Sequence, residues 1–252
     1  MQHPLDRGAV VGHDVARDDL AAGLLGEARK LRAGGVLALP PRERRGDRQH
    51  GRLHGRHLSP FARAASLGRT RVLLISGSLR AGSTNTALLR TLQAAAPSGI
   101  ATALYEGIGT LPHFNPDDDA EGLPVDPRVA ELRSQIGAVD ALLLSTPEYA
   151  GALPGSFKNL LEWTVGNAGT YRKPIAWVNT SGPAAPTGAA DAHDSLRKVL
   201  GYVGAEIVEE ACARIPVARS AIGPDGLITD PAVRERAVEV LRALERHLAG
   251  DH

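Results

Sequence analysis

A doubly wound α/β domain built on a five-stranded parallel sheet is what this sequence predicts from residue 71 onward, and three observations carry that expectation. Short apolar runs recur between longer stretches whose apolar residues repeat at helical spacing. The run "ALLLS" (141–145) shows no alternation, as a central parallel strand covered on both faces requires. Loops of unusual composition follow the first, third and fourth strands, on the edge where open α/β sheets bind ligands.

Taken in order, strands are expected at 72–76, 102–105, 141–145, 174–179 and 206–213, with helices at 84–95, 127–136, 155–165, 189–202 and 231–248 between and after them. The first strand is the β-favouring run Val72 to Ile75, ended by Gly77. Asp126 and Pro127 make an N-cap and first-turn pair for the second helix, and Val129, Leu132 and Ile136 form its buried stripe. In the third helix Phe157, Leu160 and Leu161 read as core or subunit-contact residues, and Lys158 and Glu162 as an i, i+4 ion pair. Five strands interleaved with five helices close the argument for the doubly wound class.

Composition narrows the function. Of the 252 residues 43% are apolar and the formal charge is +1, so no global charge draws the chain to nucleic acid or to an anionic membrane. The charge is uneven, however. Residues 1–70 hold 12 Arg and one Lys against seven acidic residues, a net of +6, which leaves −5 for the rest. One cysteine, Cys212, excludes an internal disulfide, no apolar run approaches the roughly 18 residues of a membrane span, and the N-terminus lacks a secretory signal pattern. A cytoplasmic protein without a membrane partner is the expectation.

Residues 1–70 read as a separate extension. Around Leu20, Leu24 and Leu25 one amphipathic helix is possible, stopped by Gly34 and Gly35, and the Arg-rich stretch that follows has neither helical nor strand period, so disorder is expected there. His50, His54 and His57 have the spacing of a helical metal face, but Gly51 and Gly55 oppose the helix and neighbouring Arg residues repel a cation. No metal is expected there. A nucleic-acid-binding arm is weighed against a dispensable extension, and the latter is preferred.

The loop "GSLRAGSTN" (77–85) opens a helix and concentrates donors. Ser78, Ser83 and Thr84 bring hydroxyls, Asn85 an amide, Arg80 a planar fork, and the helix start unpaired backbone N–H groups, all suited to a phosphate. Gly77 and Gly82 have the spacing of a nucleotide P-loop, but Ser83 stands where that loop needs Lys, and Leu79 breaks the dinucleotide pattern. Turn and capping chemistry is the competing explanation of the same residues. The loop "TPEYAGALPG" (146–155) pairs a constrained backbone with the aromatic surface of Tyr149. Glu148 has no nearby His partner, so an anchoring role is preferred over that of a general base. No catalytic dyad emerges. His193 reads as a solvated or packing histidine and Cys212 as a small strand residue.

With these residues in view, "GSLRAGSTN" resembles the G-S-x-R-x-x-S-x-N phosphate loop of the NADPH-dependent FMN reductase family. "PEYAGALPGSFKNLLEW" is similar to that family's Pro-Glu-Tyr-Asn loop and Lys-Asn helix start, and "LPHFNPDDDAEGLP" to the segment between. The likeness runs from about Arg71 to Leu248. It implies a flavodoxin-like fold, FMN as cofactor, NADPH or NADH as donor, a homodimer or homotetramer, and a small acceptor such as a quinone, metal oxyanion, azo compound or free flavin. It further implies that Ser78, Leu79, Arg80, Ser83, Thr84 and Asn85 surround the FMN phosphate, with Pro147, Glu148, Tyr149, Ala150 and Gly151 along the isoalloxazine and Ser181 and Gly182 approaching the ring. Ala150 departs from the family's Asn and removes a side-chain amide. No residue of the protein is then expected to act as acid, base or nucleophile, because the flavin carries the chemistry. The alternatives are a phosphate-loop hydrolase, opposed by the missing Lys, and a flavodoxin-type electron carrier that does not use a nicotinamide.

Overall fold

The structure is a computed structural model that describes Phe61, residues 69–182 and residues 185–250. The helix around Leu20 to Leu25, the His50, His54 and His57 trio and most of the Arg-rich stretch lie outside these residues; at the end of that stretch, against the expectation of disorder, Phe61 is buried, Arg69 donates to the Ile100 carbonyl and Thr70 opens the first strand. From Thr70 the chain alternates as expected: β1 (Thr70–Ser76), α1 (Thr84–Ala95), β2 (Ile100–Tyr105), α2 (Pro127–Gly137), β3 (Ala141–Ser145), α3 (Gly155–Glu162), β4 (Pro174–Asn179), α4 (Ala190–Tyr202), β5 (Glu206–Ile207), β6 (Ala213–Arg214) and α5 (Pro231–Ala249). The sheet order is β2-β1-β3-β4-β5, with β6 also on β4, and every pairing is parallel. This is the flavodoxin-like order, with its switch point between β1 and β3.

Period-two alternation along β1 sends Leu73 and Ile75 to one face and Val72 and Leu74 to the other. The first face packs with Leu132, Phe157, Leu160 and Leu196, and therefore with α2, α3 and α4. Across the sheet, α1 and α5 contribute Leu88, Leu92, Leu241 and Leu244. All five residues of β3 are buried, which confirms it as the central strand. Phe61, 2% exposed, belongs to the same buried cluster as Ala103, Tyr105 and Ile108. No helix among the described residues is long and apolar enough to cross a membrane.

Besides shifts of one or two residues at the ends of other elements, two regions differ from expectation. The strand anticipated over 206–213 is split into β5 and β6 by a single 3-10 turn, Glu209–Ala211. Val208 and Ala211 are 0% and 1% exposed and join the same buried cluster. Residues three apart point to opposite faces of a strand but to the same face of a 3-10 turn, so burying both requires the break. Cys212 follows that turn instead of lying within a strand; burial pushes its thiol up to about 12, and it is no nucleophile at neutral pH. The helix anticipated to reach residue 165 ends at Glu162, where the Thr164 hydroxyl donates back to the Leu161 carbonyl at 2.7 Å ahead of a glycine-rich turn.

Candidate active site

Three loops leave the C-terminal ends of β1, β3 and β4, and the sequence brings them together through small side chains. At Gly77 an added Cβ would stand 2.5 Å from the Thr146 Oγ1 and 3.0 Å from a Phe157 ring carbon, so only glycine lets the first loop lie against the second. The Gly77 N–H also donates to the Ser145 carbonyl at 2.8 Å. Gly82 supplies the left-handed turn, φ 66°, that aims the chain into α1.

Within the first loop Ser83 is the N-cap of α1, its hydroxyl accepting from the Thr86 N–H at 3.4 Å. Ser78 accepts from the Arg80 N–H at 3.3 Å, and both serines are buried. The N–H groups of Thr84 and Asn85, in the first turn of α1, meet no acceptor among the described residues, as expected of a helix start. Arg80, in the loop ahead of them, is exposed, and its guanidinium has no hydrogen-bonding or ionic partner among the described residues. Leu79 is 58% exposed and rests against Gly109. A cleft of about 420 Å³ adjoins this loop, lined by Ser78, Arg80, Ser83, Tyr105, Ile108 and Ile222. Unpaired N–H groups, two hydroxyls and a free guanidinium at one helix start are the donor set that a phosphate dianion requires.

Asn85 behaves differently from the other residues of the phosphate motif. Its side chain turns into the protein, where Oδ1 accepts from Ser145 Oγ at 2.8 Å and Thr180 Oγ1 at 3.1 Å. The Thr84 hydroxyl lies 3.2 Å from that of Thr180.

The second loop folds back on itself. Tyr149 and Ala152 exchange both backbone hydrogen bonds at 3.1 Å around Ala150 and Gly151, whose φ values are 51° and 70°. This is a two-residue hairpin with both central residues left-handed, which leaves the Tyr149 side chain 48% exposed at its mouth. Glu148 joins this loop to the third. Its carboxylate accepts from the Thr187 hydroxyl at 2.7 Å and from the Ala192 N–H, at the start of α4, at 3.2 Å. Those bonds, the Thr187 hydroxyl foremost, lower its pKa, so it stays ionised and serves as a strut. In the third loop Asn179 accepts from the Ser181 N–H at 2.8 Å and donates to the Gly188 carbonyl at 2.7 Å, which fixes the turn that carries half-buried Ser181 and Gly182.

His193 is half-buried against Trp177 on the β4 side, with Nδ1 2.7 Å from the Ala189 carbonyl; burial lowers its pKa. It is a packing residue. Lys158 and Glu162 pair at 2.7 Å, while Phe157, Leu160, Leu161 and Trp163 are core. Asn159 and Trp163 have a further role that the sequence did not announce. Asn159 accepts from Phe114 N–H at 2.7 Å, and Asn159 and Trp163 both donate to the Pro112 carbonyl, at 2.9 and 2.8 Å, which straps the segment after β2 onto α3. Ser145, Thr180 and Thr187 were likewise missed. The one available signal for Ser145 was a lone polar residue ending an otherwise apolar strand.

A flavodoxin-like sheet whose switch-point loop presents phosphate donors, beside a hairpin with an exposed aromatic ring, defines a mononucleotide-binding flavoprotein class. Residues 70–218 match the family described as NADPH-dependent FMN reductase, and the chain belongs to that family. Among its relatives, the NAD(P)H-dependent FMN reductase of Pseudomonas aeruginosa is 35% identical over 69% of this chain and 93% of its own. A 2-hydroxy-1,4-benzoquinone reductase of a Burkholderia species is 32% identical over 66% of this chain and 88% of its own. Among solved structures, the flavoenzyme NAD(P)H:(acceptor) oxidoreductase of Paracoccus denitrificans superposes with a TM-score of 0.59 at 31% identity, covering 71% of this chain and 98% of its own. The protein is thus an oxidoreductase of the FMN-dependent, NAD(P)H-using kind, and the hydrolase alternative falls.

Proposed function

We propose that the loop 77–85 grips the FMN phosphate, that the hairpin 147–151 and the Ser181–Gly182 segment border the flavin ring, and that the electrons pass to a quinone-type acceptor. The single observation that carries the reading is the Arg80 guanidinium, without a hydrogen-bonding or ionic partner among the described residues, lining one cleft with Ser78 and Ser83 in the loop that leads into the unpaired N–H groups of Thr84 and Asn85. Ser78 and Ser83 flank these donors, and the positive end of α1 adds its field to the charge of Arg80. FMN supplies the redox chemistry when bound, so the chain needs only to bind, orient and exclude water. Gly77 and Gly82 bring backbone close to the phosphate, while Glu148, ionised and doubly bonded, holds the second and third loops together. Tyr149 offers an exposed aromatic wall where a flat acceptor can approach, and the quinone reductase among the relatives supports that acceptor class.

The domain responsible runs from about residue 71 to the end of α5, with Phe61 and Arg69 of the preceding extension joined to it. A cytoplasmic location suits a protein with a single cysteine that draws on NAD(P)H. The exposed side chains of Val165, Tyr171 and Tyr202 supply apolar surface for contact between subunits of a homodimer or homotetramer. The direct test is an absorption spectrum of the purified protein reconstituted with FMN, followed by anaerobic addition of NADPH or NADH and then of a benzoquinone. A yellow chromophore that bleaches with nicotinamide and returns with quinone supports the reading. A chromophore indifferent to both nicotinamides would make the protein an electron carrier instead.

A further inference from the structure

We infer that Asn85, Ser145 and Thr180 form a buried positioning cluster that sets the phosphate-binding loop against the two ring-side loops. The inference rests on the assignment of those loops made above.

Each residue comes from a different place: the first turn of α1, the last position of β3, and the residue that follows β4. Their side chains nevertheless meet. Asn85, Ser145 and Thr180 are 6%, 0% and 3% exposed. The Asn85 carbonyl oxygen accepts from Ser145 Oγ at 2.8 Å and from Thr180 Oγ1 at 3.1 Å, which uses both of its lone pairs. With its proton committed to Asn85, Thr180 can accept from the Thr84 hydroxyl, 3.2 Å away. Ser145 Oγ also lies 2.9 Å from the Val178 carbonyl, so its one proton is shared between that carbonyl and the Asn85 oxygen.

The placement gives the cluster leverage. Thr146 and Pro147 follow Ser145 directly, and Ser181 and Gly182 follow Thr180, so each ring-side loop begins one residue from a bond to Asn85. Higher up, Glu148 and Thr187 join the same two loops at 2.7 Å. The loops are therefore tied at base and rim, and only the base tie includes the phosphate loop. A neutral planar amide suits the central position, because a carboxylate there would bury a negative charge behind a site for a dianion. Asn85 thus acts through Ser145 and Thr180 on flavin-ring placement, with its amide oxygen given to those two hydroxyls.

The experiment uses full-length Asn85→Ala, Thr180→Val and Thr180→Ser variants, titrated with FMN and with riboflavin, which lacks the phosphate. Loss of two buried hydrogen bonds at the base of the loops should weaken both flavins alike, by roughly tenfold, in Asn85→Ala and Thr180→Val. Thr180→Ser keeps the hydroxyl and should restore wild-type affinity. The double variant Asn85→Ala with Thr180→Val should bind no worse than Asn85→Ala by more than about twofold, because the two act as a unit. Weakening confined to FMN would make Asn85 a phosphate ligand and overturn the inference, as would unchanged affinity for both flavins.

A readout independent of flavin separates this inference from the assignment on which it rests. In flavin-free protein, amide hydrogen exchange of peptides covering 146–153 and 185–192 should quicken in Thr180→Val and revert in Thr180→Ser, with α2 unchanged. No local change would sink the inference whatever the flavin titrations show. Should wild-type protein bind neither flavin, the site assignment fails and the exchange data alone decide whether the cluster positions the loops. If Asn85→Ala does not fold, the two Thr180 variants make the same comparison.

Discussion

The backbone N–H of Gly77 donates to the carbonyl of Ser145 at 2.8 Å, so the loops that follow β1 and β3 leave the sheet as one unit. A methyl group on Gly77 would stand 2.5 Å from Thr146 Oγ1 and 2.9 Å from Thr146 Cβ. Gly77→Ala should therefore part the two loops, costing about 1–3 kcal/mol as an overpacked site does, and should weaken FMN together with stability. Gly82→Ala meets nothing within 4 Å, but its φ of 66° makes it costlier than an ordinary surface change, by about 1 kcal/mol. Urea melts and flavin titrations of both variants check this; a silent Gly77→Ala would contradict the close approach.

Ala150 carries a left-handed strain that the family's Asn relieves. At φ 51°, ahead of Gly151 at φ 70°, it occupies the first central position of a hairpin turn that favours Asn-Gly. Ala150→Asn should stabilise the protein by about 1 kcal/mol. For a domain of this size that raises the thermal midpoint by about 2–4 °C. A lowered midpoint in calorimetry would show that the turn is of another type.

His247 joins α5 to the fifth strand and to the turn after it, with Nε2 2.8 Å from Glu206 and Nδ1 2.9 Å from Glu210. Burial opposes its charge, but the two carboxylates outweigh burial and the pKa is raised. A raised histidine pKa stabilises fully below the unfolded value of about 6.5 and fades as pH rises through the folded value. His247→Gln should consequently lose most stability relative to wild type below the unfolded value of about 6.5, and progressively less as pH rises through the raised folded value. A gap that widens with pH would reverse the assignment.

Phe61 tests where the domain begins. Deleting residues 1–60 retains it and should leave stability and flavin binding unchanged. Deleting residues 1–69 removes a side chain that is 2% exposed and also Arg69, whose guanidinium donates to the Ile100 carbonyl at 2.7 Å. That longer truncation should cost about 3 kcal/mol, the low end for a lost buried Phe. Equal melts for the two truncations would show that Phe61 is dispensable.

The sheet was legible because parallel strands covered on both faces are continuous apolar runs, and "ALLLS" and Val72 to Ile75 have no other sensible place. The split of the last strand was not, since only the shared burial of Val208 and Ala211 selects a turn there. The donor set of the loop 77–85 was readable from local chemistry: glycines, hydroxyls and one Arg at a helix start. Asn85 was not, because its partners are 60 and 95 residues away in the chain and an amide beside such a loop reads as one more donor. At Ala150 the sequence reading weighed a missing amide, and the structure adds the missing conformational preference. Glu148 as an anchor followed correctly from the absence of a neighbouring histidine, while its partners Thr187 and Ala192 needed the fold to bring them close.

The central claim is that the loop 77–85 holds the terminal phosphate of FMN through Arg80 and the start of α1. Fluorescence titration of Arg80→Ala with FMN and with riboflavin tests it most directly, because the Arg80 side chain makes no hydrogen bond or ion pair with the described residues that its loss would break. A charge-assisted hydrogen bond contributes about 1.5–3 kcal/mol, so FMN affinity should fall roughly ten- to hundredfold, more steeply at low ionic strength, while riboflavin affinity holds. Equal losses for the two flavins, or none for either, would contradict the account and leave the loop as a strand end and a helix cap.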